Sequence, residues 1–210
     1  MSIQERKDRE KTMRRQQIQN AAKELFILKG FHSTTVEEIA QKAELSPATI
    51  YLYFKNKDEL YANLNIISMQ YLFDRIENIC KNKRLSCESK IIKIKDAMYD
   101  TFRYDPLILR NIFHIQLEDA LPSLSKGLLD QVNDISWKVL TMISNVYEEG
   151  VRQGKFRDGL GIAHADIIWS TFTGLVIWEE AKRKIDPQKD FLKATLDLAF
   201  DIFCRGIIKK

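Results

Sequence analysis

The sequence predicts an all-α protein, and three observations support that class. Only 8 of its 210 residues are glycine and 4 are proline, fewer than a chain of strands and tight turns needs. Apolar side chains recur at helical spacing, and no sustained alternation of apolar and polar residues indicates a strand. Three pairs of a capping residue and a proline mark helix starts: Ser46-Pro47, Asp105-Pro106 and Asp186-Pro187.

The apolar spacing predicts about nine helices, at residues 12–29, 35–43, 47–54, 57–82, 87–104, 106–118, 123–153, 163–184 and 187–206. The first three are closely spaced, whereas the later ones are mostly longer. We therefore expect two domains, a three-helix N-terminal domain over residues 1–56 and a larger helical domain over residues 57–210.

In the first predicted helix the apolar residues form one stripe, which consists of Ile18, Ala21, Ala22, Leu25 and Phe26. Gly30 can adopt the left-handed conformation that ends a helix. The second helix follows Thr34 and Thr35. Either threonine can cap it, and the glutamate three residues later can close a capping box.

The third helix begins at a strong local signal. Ser46 is a good N-cap, and Leu45 and Ile50 have the spacing of a hydrophobic staple, which fixes the angle at which the chain enters the helix. Ile50 and Phe54 lie four residues apart and predict the buried face. Two short helices joined by a short turn predict a helix-turn-helix.

If Ile50 and Phe54 face the core, the start of the third helix faces outward. The first residues of a recognition helix enter the major groove, where hydroxyl and backbone N–H groups contact phosphates. The outward residues are Ser46, Pro47, Ala48, Thr49, Tyr51 and Tyr53, followed by Lys55 and Lys57 as candidate phosphate contacts.

The N-terminal segment carries a local excess of positive charge. Residues 1–15 contain six basic and three acidic side chains. They form either an arm that reaches a neighbouring DNA groove or a frayed, solvated end. Residues 1–57 hold 11 basic and 7 acidic groups, so the formal excess of +4 for the whole chain lies beside the predicted DNA surface.

These motifs carry a resemblance to a known family. The segment Arg15–Tyr61, above all its run LFxxKGFxxTTVEEIAQKAELSPATIYLYFKNKDELY, resembles the DNA-binding domain of the TetR family of one-component regulators. Beyond residue 61 the resemblance is limited to helix number and lengths. It implies a homodimer that binds a palindromic operator and releases it when a ligand occupies the C-terminal domain. It places DNA contacts on Thr35, Pro47, Ala48, Thr49, Tyr51, Tyr53 and Lys57.

Two positions depart from the family's pattern. Glu44 stands where the family usually has glycine, and a non-glycine residue at positive φ is strained by about 1 kcal/mol. Pro47 and Ala48 offer no hydrogen-bonding side chain at the start of the recognition helix. Base contacts there would be apolar, against a thymine methyl group.

The last two predicted helices carry wide apolar faces and several small residues that let helices approach. We expect them to form a four-helix dimer interface, although both can also pack within one chain. The predicted interface residues are Ile167, Ser170, Gly174, Trp178, Leu192, Thr195, Leu198, Ala199 and Ile202.

The middle helices carry large aromatic side chains with a few polar groups, a lining that suits a small apolar or aromatic effector. The alternative is plain core. The predicted lining is Tyr99, Phe102, Phe113, His114, Leu117, Trp137, Thr141, Met142, Trp169 and Phe172.

Together, the helix-turn-helix, the dimer face and the pocket predict a ligand-responsive transcriptional repressor. The alternative is a DNA-binding dimer without an effector, with an architectural or division-linked role.

No catalytic or metal-binding motif is present in the sequence. Its three histidines are isolated from one another, and it contains no glycine-rich phosphate loop and no GxSxG. We expect no enzyme activity, cofactor or metal.

The three cysteines form no CxxC pair, and the charged N-terminus is unlike a secretory signal. These features predict a cytoplasmic protein with no membrane partner.

Overall fold

The computed structural model describes residues 2–107, 109, 121–186, 188 and 190–209, and these residues confirm the all-α class. They form a single 3₁₀ turn, Leu121–Ser123, and eight α-helices. The helices are α1 (Ile3–Lys29), α2 (Val36–Lys42), α3 (Pro47–Tyr51), α4 (Lys57–Lys81), α5 (Cys87–Tyr104), α6 (Lys126–Arg152), α7 (Gly161–Ile185) and α8 (Leu192–Ile207). Most of the helix predicted at residues 106–118 lies outside the described residues.

Helix α1 begins nine residues before the predicted start at residue 12. The apolar stripe does not extend that far, but polar groups hold the added turns. The Ser2 hydroxyl accepts a hydrogen bond from the Glu5 N–H at 3.1 Å, and the Glu5 carboxylate accepts one from the Ser2 N–H at 2.7 Å. Arg6 and Glu10, four residues apart, form an ion pair at 3.1 Å. This reciprocal capping box and the ion pair stabilise a helix end that contributes no core residue.

The predicted start of the last helix at residue 187 is wrong, because α8 begins at Leu192. Asp186 is the C-cap of α7 rather than the N-cap of α8, and its backbone N–H donates to the Lys182 carbonyl. The Asp186 carboxylate also accepts a hydrogen bond from the Gln188 N–H at 3.2 Å. Asp186 thus marks a helix end and a turn rather than a helix start.

The first of two compact units comprises the described residues within Met1–Ser68 and Asp105–Val132. Its core brings the buried faces of α1, α2 and α3 together around Phe26, which packs edge-on against the Tyr61 ring at 4.9 Å. Asp105 is 1% exposed in this unit. Its carboxylate accepts hydrogen bonds from the Ser68 hydroxyl and the Leu107 N–H, and it forms an ion pair with Lys23.

The second unit comprises the described residues within Met69–Tyr104 and Asn133–Lys210. Two buried lysines connect α5 to neighbouring helices, since Lys90 pairs with Glu149 on α6 and Lys95 pairs with Asp197 on α8.

The functional boundary expected at residue 56 stays a prediction. Among the described helices, none is both long enough and apolar enough to cross a membrane.

Candidate nucleic-acid interface

Helices α2 and α3 are both fixed at their N-termini by side-chain caps. The Thr35 hydroxyl accepts from the Glu38 N–H at 3.2 Å, and the Glu38 carboxylate accepts from the Thr35 N–H at 2.9 Å. The Ser46 hydroxyl accepts from the Thr49 N–H at 3.1 Å, with Pro47 at the first helical position. Both predicted caps are confirmed, and they define where each short helix begins.

The turn between these helices adopts the strained conformation expected from the sequence. Glu44 has a φ of 54° and is the only non-glycine residue with positive φ among the described residues. The next residue, Leu45, packs against the core that includes Ile50, as the staple predicts. The Leu45 N–H donates to the Ala40 carbonyl at 2.9 Å and closes the turn. The turn therefore keeps its geometry although a side chain at positive φ costs about 1 kcal/mol.

The N-terminal turn of α3 lies on the surface. Ser46, Pro47 and Ala48 are exposed, and Tyr51 is 53% exposed. Thr49 is half-buried, and its hydroxyl shares a 2.9 Å hydrogen bond with the Ser46 hydroxyl. These side chains form a small surface of hydroxyl groups, apolar atoms and one aromatic ring, which we call the α3 surface.

The C-terminal end of α3 is fixed against the rest of its unit. Ile50 and Phe54 are buried as predicted, and Tyr53 is half-buried and packs against the same core. The Arg15 guanidinium lies 4.4 Å from the Phe54 ring centroid and donates to the Tyr53 carbonyl at 3.2 Å and to the Asn63 side chain. Burial lowers the pKa of Arg15, although the Glu59 carboxylate opposes this shift.

The two predicted lysines occupy different environments. Lys55 is exposed, whereas the Lys57 ammonium donates to the Phe31 and Thr34 carbonyls, both at 2.8 Å. It also lies 4.2 Å from the Phe31 ring centroid, and burial lowers its pKa. Lys57 thus stabilises the turn that leads into Thr35, and an ammonium has only one further N–H to offer. Phosphate contacts by Lys55 and Lys57 stay predictions.

Most of the predicted dimer residues are exposed, two are half-buried and one is buried. Trp178 is 63% exposed, Ile202 is 61% exposed and Ile167 is 48% exposed, all large apolar side chains. Leu192 is only 2% exposed and belongs to the core of its own unit. Among the others, Ser170, Gly174 and Leu198 are exposed, and Thr195 and Ala199 are half-buried.

The predicted effector lining is only partly described. Phe102 and Phe172 are buried, and Trp137 is 61% exposed and so lies on the surface of its unit. The half-buried members are Tyr99, Thr141, Met142 and Trp169. The remaining members, Phe113, His114 and Leu117, lie outside the described residues. The pocket stays a prediction.

The role of Arg15 could not be predicted from the sequence, because its hydrogen-bond partners lie 38 and 48 positions away along the chain.

A further group of basic residues on α1 lies beside the end of α3. Lys7, Lys11 and Arg14 line a groove together with Leu52 and Tyr53. Across the residues that the structure describes, no three His, Cys, Asp or Glu side chains are arranged to hold a metal ion.

Comparison with known proteins agrees with the helix-turn-helix geometry. Residues 18–64 match the family model described as "Bacterial regulatory proteins, tetR family". The chain is 27% identical over 196 residues to the fatty acid metabolism regulator protein of Bacillus subtilis (strain 168), covering 92% of this chain and 95% of that relative.

Two solved structures show the same fold. The transcriptional regulator FadR from Bacillus subtilis, solved in complex with stearoyl-CoA, superposes with a TM-score of 0.69 at 25% identity. That match covers 91% of this chain and 98% of FadR. The TetR-family regulator PfmR from Thermus thermophilus superposes with a TM-score of 0.73 at 18% identity, covering 90% of this chain and 97% of PfmR.

Proposed function

We propose that the chain, whose residues 18–64 match the model of the TetR family of bacterial regulatory proteins, is a ligand-responsive transcriptional repressor. In this proposal it binds a palindromic operator as a homodimer and leaves the DNA when a small effector binds. The carrying observation is the α3 surface, which is exposed and held in place by caps at both helices of the motif.

The composition of the α3 surface supports contact with a DNA major groove. The hydroxyls of Ser46, Thr49 and Tyr51 can bond phosphate oxygens or base edges, and Pro47 and Ala48 can pack against thymine methyl groups. The Phe54 and Ile50 side chains anchor the helix to the core behind this surface. Reading DNA with a rigid, surface-exposed helix requires this division into an outer and an inner face.

The homodimer is supported by the exposed apolar face of α7 and α8. Ile167, Gly174 and Trp178 lie seven and four residues apart, so they share one side of α7. Leu198 and Ile202, four residues apart on α8, are 60% and 61% exposed. Such faces bury their apolar area when a second copy packs against them with two-fold symmetry, which matches the symmetry of a palindromic operator.

For the effector, we propose a long-chain acyl thioester, which shares an apolar part with the small apolar or aromatic ligand predicted from the sequence. The support is the similarity to a fatty acid metabolism regulator and to FadR, which was solved with stearoyl-CoA. The effector must bind the DNA-incompetent state more tightly than the DNA-bound state, since only differential affinity shifts the equilibrium. We propose that it acts through α4, the continuous helix that follows the helix-turn-helix.

The test is a selection of operator sequences from random duplexes with the full chain. We expect an inverted repeat whose half-site centres lie about one duplex turn, roughly 34–36 Å, or a multiple of it apart. Native mass spectrometry should give about 49 kDa, twice the chain mass of 24.6 kDa. If no sequence is enriched, the proposed function as a DNA-binding regulator is overturned. If only a 24.6 kDa species is found, the proposed homodimer is overturned.

The effector class is tested by fluorescence anisotropy on the selected duplex. Stearoyl-CoA should weaken binding at least about tenfold, which corresponds to a coupling free energy of about 1.4 kcal/mol. Coenzyme A without an acyl chain is the matched control and should leave the affinity unchanged. If neither compound nor any other apolar ligand changes the affinity, the protein is a DNA-binding dimer without an effector.

A further inference from the structure

The N-terminal part of α1 is a helix that contributes nothing to the core. Every residue from position 2 to position 14 is exposed, and the buried stripe of α1 begins only at Ile18. The segment is nevertheless helical from Ile3, where the Ser2 and Glu5 capping box fixes its end. Its side chains are thus presented on a regular scaffold rather than on a frayed arm.

One face of this helix borders the end of the recognition helix. Lys7, Lys11 and Arg14 line a groove of about 830 Å³ together with Met13, Gln17, Glu10, Leu52 and Tyr53, and we call it the α1 groove. The three basic residues are four and three positions apart, so they project from one side of α1. Seven residues of helix rise about 10 Å, a length along the duplex axis over which one DNA strand presents about three phosphates.

The charges of the α1 groove are available to a ligand. Within the described part of the chain, the Lys7 and Lys11 ammonium groups form no ion pair or hydrogen bond. The one acidic side chain of the lining, Glu10, is neutralised by Arg6 at 3.1 Å. Arg14 donates one hydrogen bond to the Gln17 side chain at 3.2 Å and keeps its other N–H groups.

We propose that the α1 groove binds the sugar-phosphate backbone of the operator next to the bases that α3 contacts. This inference rests on the proposed function and adds a binding surface to it. Lys7, Lys11 and Arg14 neutralise phosphates, and Leu52, 81% exposed, packs against deoxyribose. Such contacts fix the register of α3 on the duplex and add affinity that does not depend on sequence.

The test is the salt dependence of binding to the selected duplex. Each neutralised phosphate adds about 0.9 to the slope of log K against log salt concentration. The variant K7A/K11A removes two cations per subunit, so the dimer should lose up to about 3.6 from that slope. With a loss of about 2 in slope, the ratio of the variant's affinity to the wild-type affinity is about a hundredfold smaller at 0.1 M than at 1 M salt.

The matched control is R9A, which removes a charge from the same helix outside the α1 groove and leaves the Arg6–Glu10 ion pair intact. Alanine keeps both variants helical. The inference predicts a loss of up to about 0.9 in slope per removed cation for K7A/K11A and at most a small loss for R9A. A wild-type slope in K7A/K11A, or equal losses per removed cation in both variants, would overturn it.

The two proposals fail in different ways. If the α1 groove binds no DNA, the operator and its inverted repeat remain but the slope of K7A/K11A does not change. If wild-type protein enriches no duplex at all, both the proposed function and the α1 groove are overturned.

Discussion

The buried carboxylate of Asp105 offers a quantitative test of how the first unit is held together. Its side chain is 2% exposed, and it receives the Ser68 hydroxyl and lies 3.2 Å from the Lys23 ammonium. Removing one partner of a fully buried pair costs about 3–5 kcal/mol. Lys23 is 27% exposed, so water compensates its charge in part. A hydrogen bond to a charged group contributes about 1.5–3 kcal/mol. Because water compensates part of the loss, we expect Asp105→Asn to lower the free energy of unfolding by about 1–3 kcal/mol.

The assay is urea unfolding followed by circular dichroism, with Asp100→Asn as the control. Asp100 pairs with Arg75 at 2.7 Å, but both side chains are exposed, so its loss should cost about 0.2–1 kcal/mol. Lys23→Met combined with Asp105→Asn should cost less than the sum of the single changes, because the ion pair is then removed from both sides. A loss for Asp105→Asn no larger than that for Asp100→Asn would refute the reasoning.

Two further predictions concern packing and pH. Gly150→Ala places a Cβ in a clash with the Phe156 ring and should lower the free energy of unfolding by about 1–3 kcal/mol. Gly127→Ala meets nothing within 4 Å and should stabilise the fold by up to about 1 kcal/mol, and equal melting temperatures for the two variants would contradict this difference. The Lys95 hydrogen bond lowers the pKa of Asp197, so the pair stabilises the fold above the ordinary carboxyl pKa of about 3.9 and loses that effect as pH falls towards the folded-state value. Asp197→Asn should therefore flatten the stability curve at acid pH, and an unchanged curve would contradict the assignment.

The helix-turn-helix was predictable because its determinants are local. The capping residues Thr35 and Ser46 act within three positions of the groups they bond. The positive φ of Glu44 follows from the short turn between two capped helices. The staple of Leu45 and Ile50 likewise depends on spacing within one turn.

Features that depend on distant contacts, or on residues with two competing local roles, could not be predicted from the sequence. Nothing near Lys57 in sequence indicates that its ammonium turns towards the carbonyls of Phe31 and Thr34. Asp186 carries an N-cap signature, yet the chain uses it to end α7, because turn and cap preferences of aspartate overlap. Leu192 has the hydrophobicity of an interface residue, and only its packing places it in the core.

The most direct test of the central claim is the affinity of T49A/Y51A for the selected operator. Tyr104→Ala serves as the control, because Tyr104 is a 68% exposed tyrosine that belongs to the second unit. Each lost hydrogen bond to a charged phosphate is worth about 1.5–3 kcal/mol. Fluorescence anisotropy should therefore show at least about tenfold weaker binding for T49A/Y51A and wild-type binding for Tyr104→Ala. Wild-type affinity in a folded, dimeric T49A/Y51A would contradict the assignment of α3 as the recognition helix.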